Sequence, residues 1–319
     1  MSPPVDPDAA VGCLLGLALG DALGAPFEGR RRVAPDEVDQ LVSGAGQLRW
    51  TDDTHMTLTL ARALVAEGLT IDTERLGDRF AASYQEQPWR GYGSGPPRVF
   101  ALAEGGRSYP EAAASLFGGR GSFGNGAAMR CAPVAIAGYP DPARTEALAA
   151  AQATVTHHHP EAVDGAVLVA LVVGLALATP AAEALRVRAA TLDPGPLRSP
   201  ALQAAWDRVQ AAAGAGPRGT GGGLLSLAGR FGTSVAARES VPAAISVALG
   251  VGADLVRTIR AAICLGGDTD TVAAMAGAIA GAHLGAGAIP PLLLQRLEAH
   301  EQLSAAGLAL AEAARGRAG

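Results

Sequence analysis

Aromatic residues, cysteines and runs of basic residues are all scarce in this sequence of 319 residues. Phe, Trp and Tyr make up 4% of it, and the formal net charge is −5. Its longest run of basic residues is the short Arg30-Arg31-Arg32, and no basic face is evident, so the chain lacks the electrostatic footprint of a nucleic-acid-binding protein. The three cysteines, Cys13, Cys131 and Cys264, are far apart and lie in apolar helical patterns. We therefore predict reduced core thiols in a cytoplasmic protein, and neither a disulfide framework nor a zinc site.

Three apolar stretches, 9–20, 166–182 and 271–294, are long enough to be compared with membrane spans. The first has no positively charged segment before it and runs into Asp21, which argues against a signal peptide. The other two are rich in small residues and are interrupted by proline, at Pro180 and at Pro290-Pro291. We expect all three to be buried core helices of a protein that does not enter a membrane.

The apolar residues, 49% of the chain, are mostly Ala, Leu and Val. Alanine favours helix because it loses no side-chain entropy there, and Ala-rich segments separated by Gly and Pro recur along the whole chain. Neither an alternating strand pattern nor a repeat of fixed length is evident. The sequence therefore predicts an all-α protein. Its predicted helices cover residues 9–20, 54–67, 72–86, 109–116, 126–137, 142–155, 160–178, 182–191, 200–212, 242–249, 252–264, 270–284 and 291–314.

Loops rich in Gly, Pro and polar residues are predicted between these helices. Segments 192–199 and 214–223 are expected to be variable surface loops. The second is linker-like in composition, but the two acidic clusters described next lie on either side of it. We therefore predict one compact domain over residues 1–319. The other predicted loops cover 21–50, 87–98 and 117–125.

Two acidic clusters, each at the start of a predicted helix, carry the clearest functional signal. Asp52 and Asp53 follow Thr51 in the first cluster, where such residues ordinarily cap a helix. In the second, Asp268 and Asp270 alternate with threonines after two glycines. At a helix start loosened by glycine, two carboxylates spaced in this way can converge. Capping needs only one such oxygen, so the other carboxylates are available for another purpose.

Together the clusters supply four carboxylates and several hydroxyls, with no cysteine and no obligatory histidine. Hard oxygen ligands of this kind suit Mg²⁺, Mn²⁺ or Ca²⁺ and argue against zinc. One Mg²⁺ usually keeps several waters and does not need four carboxylates. A pair of ions roughly 3.5–4 Å apart fits the set better, which indicates a metal-dependent hydrolase.

A glycine-rich segment precedes the predicted helix that begins at residue 126. Glycines at such a place allow backbone N–H groups to approach a phosphate, although a plain turn has the same composition. The segment has no Lys-Ser/Thr pair, so it is not a nucleotide-hydrolysing P-loop. Its residues are Gly121, Ser122, Phe123, Gly124, Asn125 and Gly126.

Two further loops carry residues suited to a site. His157, His158 and His159 link two predicted helices, but neighbouring side chains diverge, so we expect one histidine at the site and no three-histidine metal centre. Glu28 lies in a loop after the first helix, where a mobile carboxylate would serve as a lid or a general acid/base. Asp21, at the end of that helix, has an ordinary role as an acceptor for turn amides.

These motifs, taken together, resemble those of the ADP-ribosylglycohydrolase family, which includes the dinitrogenase reductase-activating glycohydrolase and the vertebrate ADP-ribosylhydrolases. They occur in the family's order over most of the chain. The resemblance is carried by Gly20-Asp21-Ala22-Leu23-Gly24 with Glu28, Trp50-Thr51-Asp52-Asp53-Thr54, Gly121-Ser122-Phe123-Gly124-Asn125-Gly126 with Met129-Arg130, the Thr156-His157 turn, and Leu265-Gly266-Gly267-Asp268-Thr269-Asp270-Thr271.

The resemblance implies an all-α orthogonal multi-helix bundle with two Mg²⁺ (or Mn²⁺) ions. It also implies a monomeric hydrolase that releases ADP-ribose from ADP-ribosylated proteins or small conjugates. Glu28, Asp53 and Asp268 would be the candidates for proton transfer. The glycine-rich segment and His157 would hold the diphosphate and riboses, with Phe123 in place of a tyrosine found in some members. The implied metal ligands are Thr51, Asp52, Asp53, Asp268, Asp270 and Thr271.

The bond that is cleaved depends on a further segment. Ala236–Ile245 resembles a helix of vertebrate relatives that cleave serine-linked ADP-ribose and related O-linked conjugates, which favours O-linkage over arginine linkage. Two alternatives share the same motifs: a hydrolase of another nucleoside or nucleotide conjugate, and a non-catalytic protein that binds ADP-ribose. Non-catalytic members typically lose ligand residues, whereas every ligand position matched here is filled.

Overall fold

The computed structural model describes residues 3–179, 185–215 and 222–317, and within these ranges it forms α-helices and no strand. The prediction of an all-α multi-helix fold is confirmed. The helices are α1 (Pro7–Gly24), α2 (Pro35–Ser43), α3 (Asp52–Ala66), α4 (Thr73–Glu86), α5 (Gly95–Glu104), α6 (Tyr109–Gly119), α7 (Gly126–Met129), α8 (Ala132–Gly138), α9 (Pro142–Thr154), α10 (Pro160–Leu177), α11 (Leu185–Ala189), α12 (Pro200–Gly214), α13 (Gly222–Phe231), α14 (Ala237–Val251), α15 (Leu255–Cys264), α16 (Thr269–Leu284), α17 (Pro291–Arg296) and α18 (His300–Arg317).

Helices α1 and α16 pack antiparallel at very short range. Glycines recur every fourth residue along one side of α1, and a Cβ on Gly16 or Gly20 would overlap the backbone of α16. The same holds in reverse for Gly277 and Gly281 of α16 against α1. These glycines therefore allow the two backbones to come into direct contact. Because α1 ends where α16 begins, the loop after α1 is placed beside the second acidic cluster.

Two helices, Pro7–Phe27 and Pro160–Leu177, are long and apolar enough to cross a membrane when judged by length and composition alone. In the first, 89% of the apolar window is buried inside the protein, and in the second 72%. Core helices pass the same test of length and composition. Both segments were expected to be core helices, and their burial agrees with that expectation.

Several predicted boundaries are wrong, and the reasons are local. The predicted loop 21–50 contains the end of α1 and all of α2, and the predicted loop 87–98 contains the start of α5. The predicted helix 126–137 is divided between α7 and α8, because Pro133 in the first turn of α8 cannot continue a helix from before it. The predicted helix 291–314 is divided between α17 and α18.

Three other predictions concern the segment between residues 182 and 249. The helix predicted over 182–191 is observed over Leu185–Ala189, and residues 182–184 lie outside the described residues. Of the loop predicted over 214–223, residues 216–221 also lie outside them. Helix α14 begins at Ala237, earlier than predicted, because Pro242 is accommodated inside it.

Candidate active site

Both acidic clusters open onto one pocket of about 440 Å³. The pocket lies where the first turns of α3 and α16 meet the glycine-rich segment and the loop that follows α1. Twelve of the fourteen predicted site residues line it: Glu28, Asp52, Asp53, Ser122, Phe123, Gly124, Asn125, Gly126, His157, Asp268, Asp270 and Thr271. The structure therefore brings together residues that are up to 243 positions apart in the chain.

The first cluster is positioned by a buried carboxylate of α1. Asp21 is fully buried and accepts hydrogen bonds from the backbone N–H of Thr51, at 2.9 Å, and from that of Thr54, at 3.0 Å. The Thr54 hydroxyl also donates to it, at 2.6 Å. These bonds hold the first turn of α3, so Asp52 and Asp53 are presented from a rigid support. The sequence assigned Asp21 to turn amides; the amides it bonds are those of Thr51 and Thr54 in the first acidic cluster, some thirty residues away.

The second cluster is positioned by two glycines with positive φ. Gly266 has φ +77° and Gly267 has φ +79°, and a Cβ on either would overlap the backbone of a neighbouring loop. The Gly267 N–H donates to Arg30 O at 2.7 Å, and the Gly29 N–H donates to Gly267 O at 2.8 Å. This pair of bonds fastens the loop that carries Glu28 to the loop that carries Asp268.

As a result, three carboxylates form a compact donor group. One oxygen from each of Glu28, Asp268 and Asp270 lies within 4.8 Å of the others. Asp268 is oriented by the Asn125 side-chain amide, which donates to its Oδ2 at 2.7 Å. In contrast, Asp53 Oδ1 and Asp270 Oδ1 are buried and have no hydrogen-bond partner among the described residues. Buried carboxylate oxygens without a partner are what a cation site requires.

Burial and mutual repulsion raise the pKa values of several carboxyl groups in the pocket. Burial, and then the charge of Asp21, raise the pKa of Asp52 to about 7. Burial and then Asp268 raise the pKa of Asp270 to about 9, and burial and then Asp21 raise that of Asp53 well above its ordinary value. The pKa of the exposed Glu28 carboxyl is also raised, through partial desolvation and then the charge of Asp268. Without a cation, Asp53 and Asp270 therefore hold protons at neutral pH.

The glycine-rich segment forms the opposite wall. Its Gly124 makes an isolated antiparallel bridge with Ala236, and the Asn125 N–H donates to Val235 O at 2.9 Å. Phe123 is 42% exposed and lies edge-on to His159, with ring centroids 6.1 Å apart. The helix that follows has only four residues, so the helix dipole expected from a longer one is small here.

Two predicted site residues do not line the pocket. Thr51 caps α3: its hydroxyl accepts from the Asp53 N–H and lies 3.4 Å from Asp53 Oδ2, and its side chain is half-buried. Gly121 has φ +70° and packs against the backbone of His158 and His159. Of the three histidines, His157 alone lines the pocket, which agrees with the expectation that one of them faces the site.

The pocket also contains residues that the sequence did not single out. A loop and helix start at 91–96 forms one side, and Phe117 and Val235 form part of the rim. Phe117 is 41% exposed and has φ +53°, an uncommon conformation for a bulky residue. Strain of this kind concentrates at functional sites, where the surrounding structure holds the residue in place. Its only sequence signal is its position directly before two glycines.

Comparison with known proteins agrees with this geometry. The family model of ADP-ribosylglycohydrolase matches residues 2–318. The chain is 35% identical to ADP-ribosylhydrolase ARH3 of Danio rerio, over 88% of this chain and 83% of that protein. It is 38% identical to the ADP-ribosyl-[dinitrogen reductase] glycohydrolase of Rhodospirillum rubrum, over 50% of this chain and 55% of that protein.

A solved structure described as an ADP-ribosylglycohydrolase-related protein complex is similar over the whole fold. Its TM-score is 0.70 and its sequence identity 31%, and the match covers 97% of this chain and 98% of that one. The family match extends over nearly every residue, and the acidic pocket is built from the motifs on which the resemblance rested. The chain therefore belongs to the ADP-ribosylglycohydrolase family and is a glycohydrolase.

Proposed function

We propose that this protein hydrolyses the glycosidic bond between ADP-ribose and a modified protein side chain or small conjugate, releasing ADP-ribose. The observation that carries the proposal is one pocket in which five carboxylates face a glycine-rich wall and two exposed phenylalanine rings. The carboxylates suit chemistry at an anomeric carbon, and the opposite wall suits a nucleotide. In the reaction, a water oxygen bonds to the anomeric carbon, the bond to the side chain breaks, and the leaving atom gains a proton.

We further propose that the carboxylates bind two Mg²⁺ or Mn²⁺ ions. The donor set fits such ions, since all its ligand atoms are oxygens and two of the buried ones have no protein partner in the described part of the chain. When bound, a divalent cation supplies Lewis acidity toward oxygen atoms of the substrate and of water. The residues that would hold the ions are Thr51, Asp52, Asp53, Asp268, Asp270 and Thr271, with Glu28 beside them.

Glu28 is the best placed of the three proton-transfer candidates. Its side chain is exposed at the pocket, and its raised pKa is favourable for a group that both gives and takes a proton. Asp268 accepts a hydrogen bond from Asn125, and Asp53 is fully buried among the other acids. These two carboxylates are therefore better suited to holding cations than to moving protons.

The nucleotide would lie along the other wall. The rings of Phe117 and Phe123 are both exposed at the pocket and offer stacking surfaces for an adenine. The N–H groups of Ser122 and Phe123 donate to no protein atom within the described ranges, so they are available for phosphate oxygens. This arrangement supports ADP-ribose as the ligand over a nucleoside without phosphates.

A substitution in the glycine-rich segment tests this placement. We expect Gly124→Val to weaken ADP-ribose binding by about tenfold or more, because a β-branched side chain would fill space in front of His157 Nε2, which lies 3.6 Å from a Cβ at this position. Binding of Mg²⁺ should stay near the wild-type value. Calorimetry with each ligand separately measures both, and Gly46→Val, where a Cβ meets nothing within 4 Å, is the matched control. Unchanged affinity for ADP-ribose would show that the segment is only a turn.

The raised pKa values predict how stability depends on pH. The metal-free protein keeps protons on Asp53 and Asp270 that the unfolded chain has lost, so its stability should fall as pH rises from 7.5 to 8.5. The expected slope is about 1.4 kcal/mol per pH unit for each proton retained. In excess Mg²⁺ the carboxylates are ionised in the folded state too, and the slope should flatten. Urea unfolding at the two pH values, with and without Mg²⁺, measures the difference; equal slopes would contradict a cation site at these residues.

The substrate test compares linkages. We propose O-linked conjugates as the preferred substrates, on the resemblance of Ala236–Ile245, which contacts the glycine-rich segment. Serine-, arginine- and acetyl-linked ADP-ribose should be incubated with the protein and free ADP-ribose followed, with other nucleotide conjugates as controls. Fastest release from the arginine conjugate would overturn the preference for O-linkage. Binding of ADP-ribose without release from any conjugate would favour the non-catalytic alternative.

A further inference from the structure

A fully buried arginine lies directly behind the glycine-rich segment and has no carboxylate partner within the described residues. The Arg130 guanidinium donates to the carbonyl of Gly126, to both side-chain and main-chain oxygens of Gln152, and to the Thr156 hydroxyl. It also contacts the Met56 sulfur at 3.8 Å. A buried charge satisfied only by neutral groups is costly, so its retention calls for an explanation.

The acceptors around Arg130 are themselves held in one orientation. The Gln152 side-chain amide donates to Ala127 O at 2.8 Å, which turns its Oε1 toward Arg130 Nε, also at 2.8 Å. Arg130 Nη2 donates to Thr156 Oγ1 at 2.8 Å. Since an arginine can only donate, the Thr156 oxygen is an acceptor in this bond, and its own proton must go elsewhere.

Within the described residues, the Thr156 hydroxyl proton has a single possible acceptor, His157 Nδ1. Thr156 Oγ1 lies 2.8 Å from His157 Nδ1, and Thr156 is fully buried. No other acceptor for the hydroxyl occurs among the described residues. If Nδ1 carried a proton, the threonine hydroxyl would be a buried donor without a partner, which is unfavourable. The hydroxyl therefore donates to Nδ1, and a neutral imidazole must then carry its proton on Nε2.

The Nε2 atom faces the pocket. A Cβ on Gly126 would lie 3.1 Å from it, and a Cβ on Gly124 would lie 3.6 Å away, so both glycines keep the space in front of this nitrogen open. Burial, and then the charge of Arg130, lower the pKa of His157 to about 3. The ring is thus neutral at physiological pH, although five carboxylates line the same pocket.

We propose that Arg130 and Thr156 are positioning residues that hold His157 as the neutral tautomer protonated on Nε2, so that this N–H donates to an oxygen of the substrate diphosphate. That the acceptor is an oxygen of the substrate diphosphate rests on the proposed function. The assignment of the His157 tautomer is independent of it. The arrangement gives a donor of fixed direction whose protonation does not change when the substrate charge enters or leaves the pocket.

The tautomer can be measured without ADP-ribose or any other nucleotide. In long-range ¹H–¹⁵N spectra of the histidine-labelled, metal-loaded protein, His157 should show a protonated Nε2 and an unprotonated Nδ1, constant from pH 6 to 8. His157→Gln identifies the signal. A proton on Nδ1, or a ring that titrates in this range, would overturn the proposal whatever the protein binds.

Variants then test the role of the donor. Thr156→Val removes the hydroxyl with little change in shape, and we expect about tenfold weaker binding of ADP-ribose with unchanged Mg²⁺ affinity. Thr156→Ser should restore both the tautomer signature and the affinity. The control is Thr154→Val, which removes a hydroxyl that bonds only to the backbone of its own helix.

Wild-type affinity in Thr156→Val would overturn the role of the hydroxyl. Failure of the wild type to bind ADP-ribose, with the expected tautomer present, would instead contradict the proposed ligand.

Discussion

Replacing Asp270 with Asn is expected to lower kcat by more than about 100-fold while the protein remains folded. The carboxylate has one buried oxygen without a partner in the described residues, and it belongs to the compact donor group with Glu28 and Asp268. An amide has nearly the same shape but carries no charge, so it would hold a divalent cation poorly. Turnover of ADP-ribosylated substrate and Mg²⁺ affinity should fall together.

The same substitution should not destabilise the metal-free protein. Burial and the charge of Asp268 disfavour the ionised form of Asp270 and raise the pKa of its carboxyl to about 9, so a neutral amide removes repulsion. Thermal unfolding in EDTA checks this, with Asp207→Asn on the surface of α12 as the matched control. An active Asp270→Asn enzyme would refute the metal-ligand assignment. An inactive variant that is also unfolded in EDTA would favour a structural role.

Removal of divalent cations should have an equally large effect. Incubation with EDTA is expected to abolish hydrolysis, and Mg²⁺ or Mn²⁺ should restore it, because the ligand atoms are hard oxygens. Titration of the metal-free enzyme by calorimetry should show two ions per chain. In buffers of different ionisation enthalpy, the titration should also show proton release, since Asp52 and Asp270 must ionise to bind cations.

The control for chelation is a protein passed over a desalting column without EDTA. Full activity in metal-free buffer would contradict the proposed mechanism. So would anomalous scattering that placed a single zinc among His157, His158 and His159. That result is not expected from the structure, in which His157 alone of the three lines the pocket and its Nδ1 is bonded to a threonine hydroxyl.

The site was predictable from the sequence where its signals are local. Asp52, Asp53, Asp268 and Asp270 each lie at a helix start, where turn and capping residues identify the position and surplus carboxylates are conspicuous. The all-helical fold was predictable for a similar reason, since alanine content and apolar periodicity act within a few residues. Helix boundaries were less predictable, as the division of 126–137 at Pro133 shows.

Other site residues had no local signal. The sequence predicts Asp21 only as a residue at the end of a helix. The tertiary structure shows that its carboxylate holds the first turn of α3. Phe117 lies near the end of α6, and the segment 91–96 covers a loop and the start of α5; both line the pocket together with residues from the two acidic clusters. Their roles depend on contacts with residues far away in the chain, and a single sequence does not show which distant residues are in contact.

By itself, the sequence determined that the chain is helical, which residues carry carboxylates at helix starts, and which family it resembles. Only the tertiary structure decided that these carboxylates share one pocket and that Glu28 joins Asp268 and Asp270 in it. The physical reason is the register of two helices. The glycines of α1 and α16 permit backbone contact at one alignment, and that alignment brings the end of one helix to the start of the other.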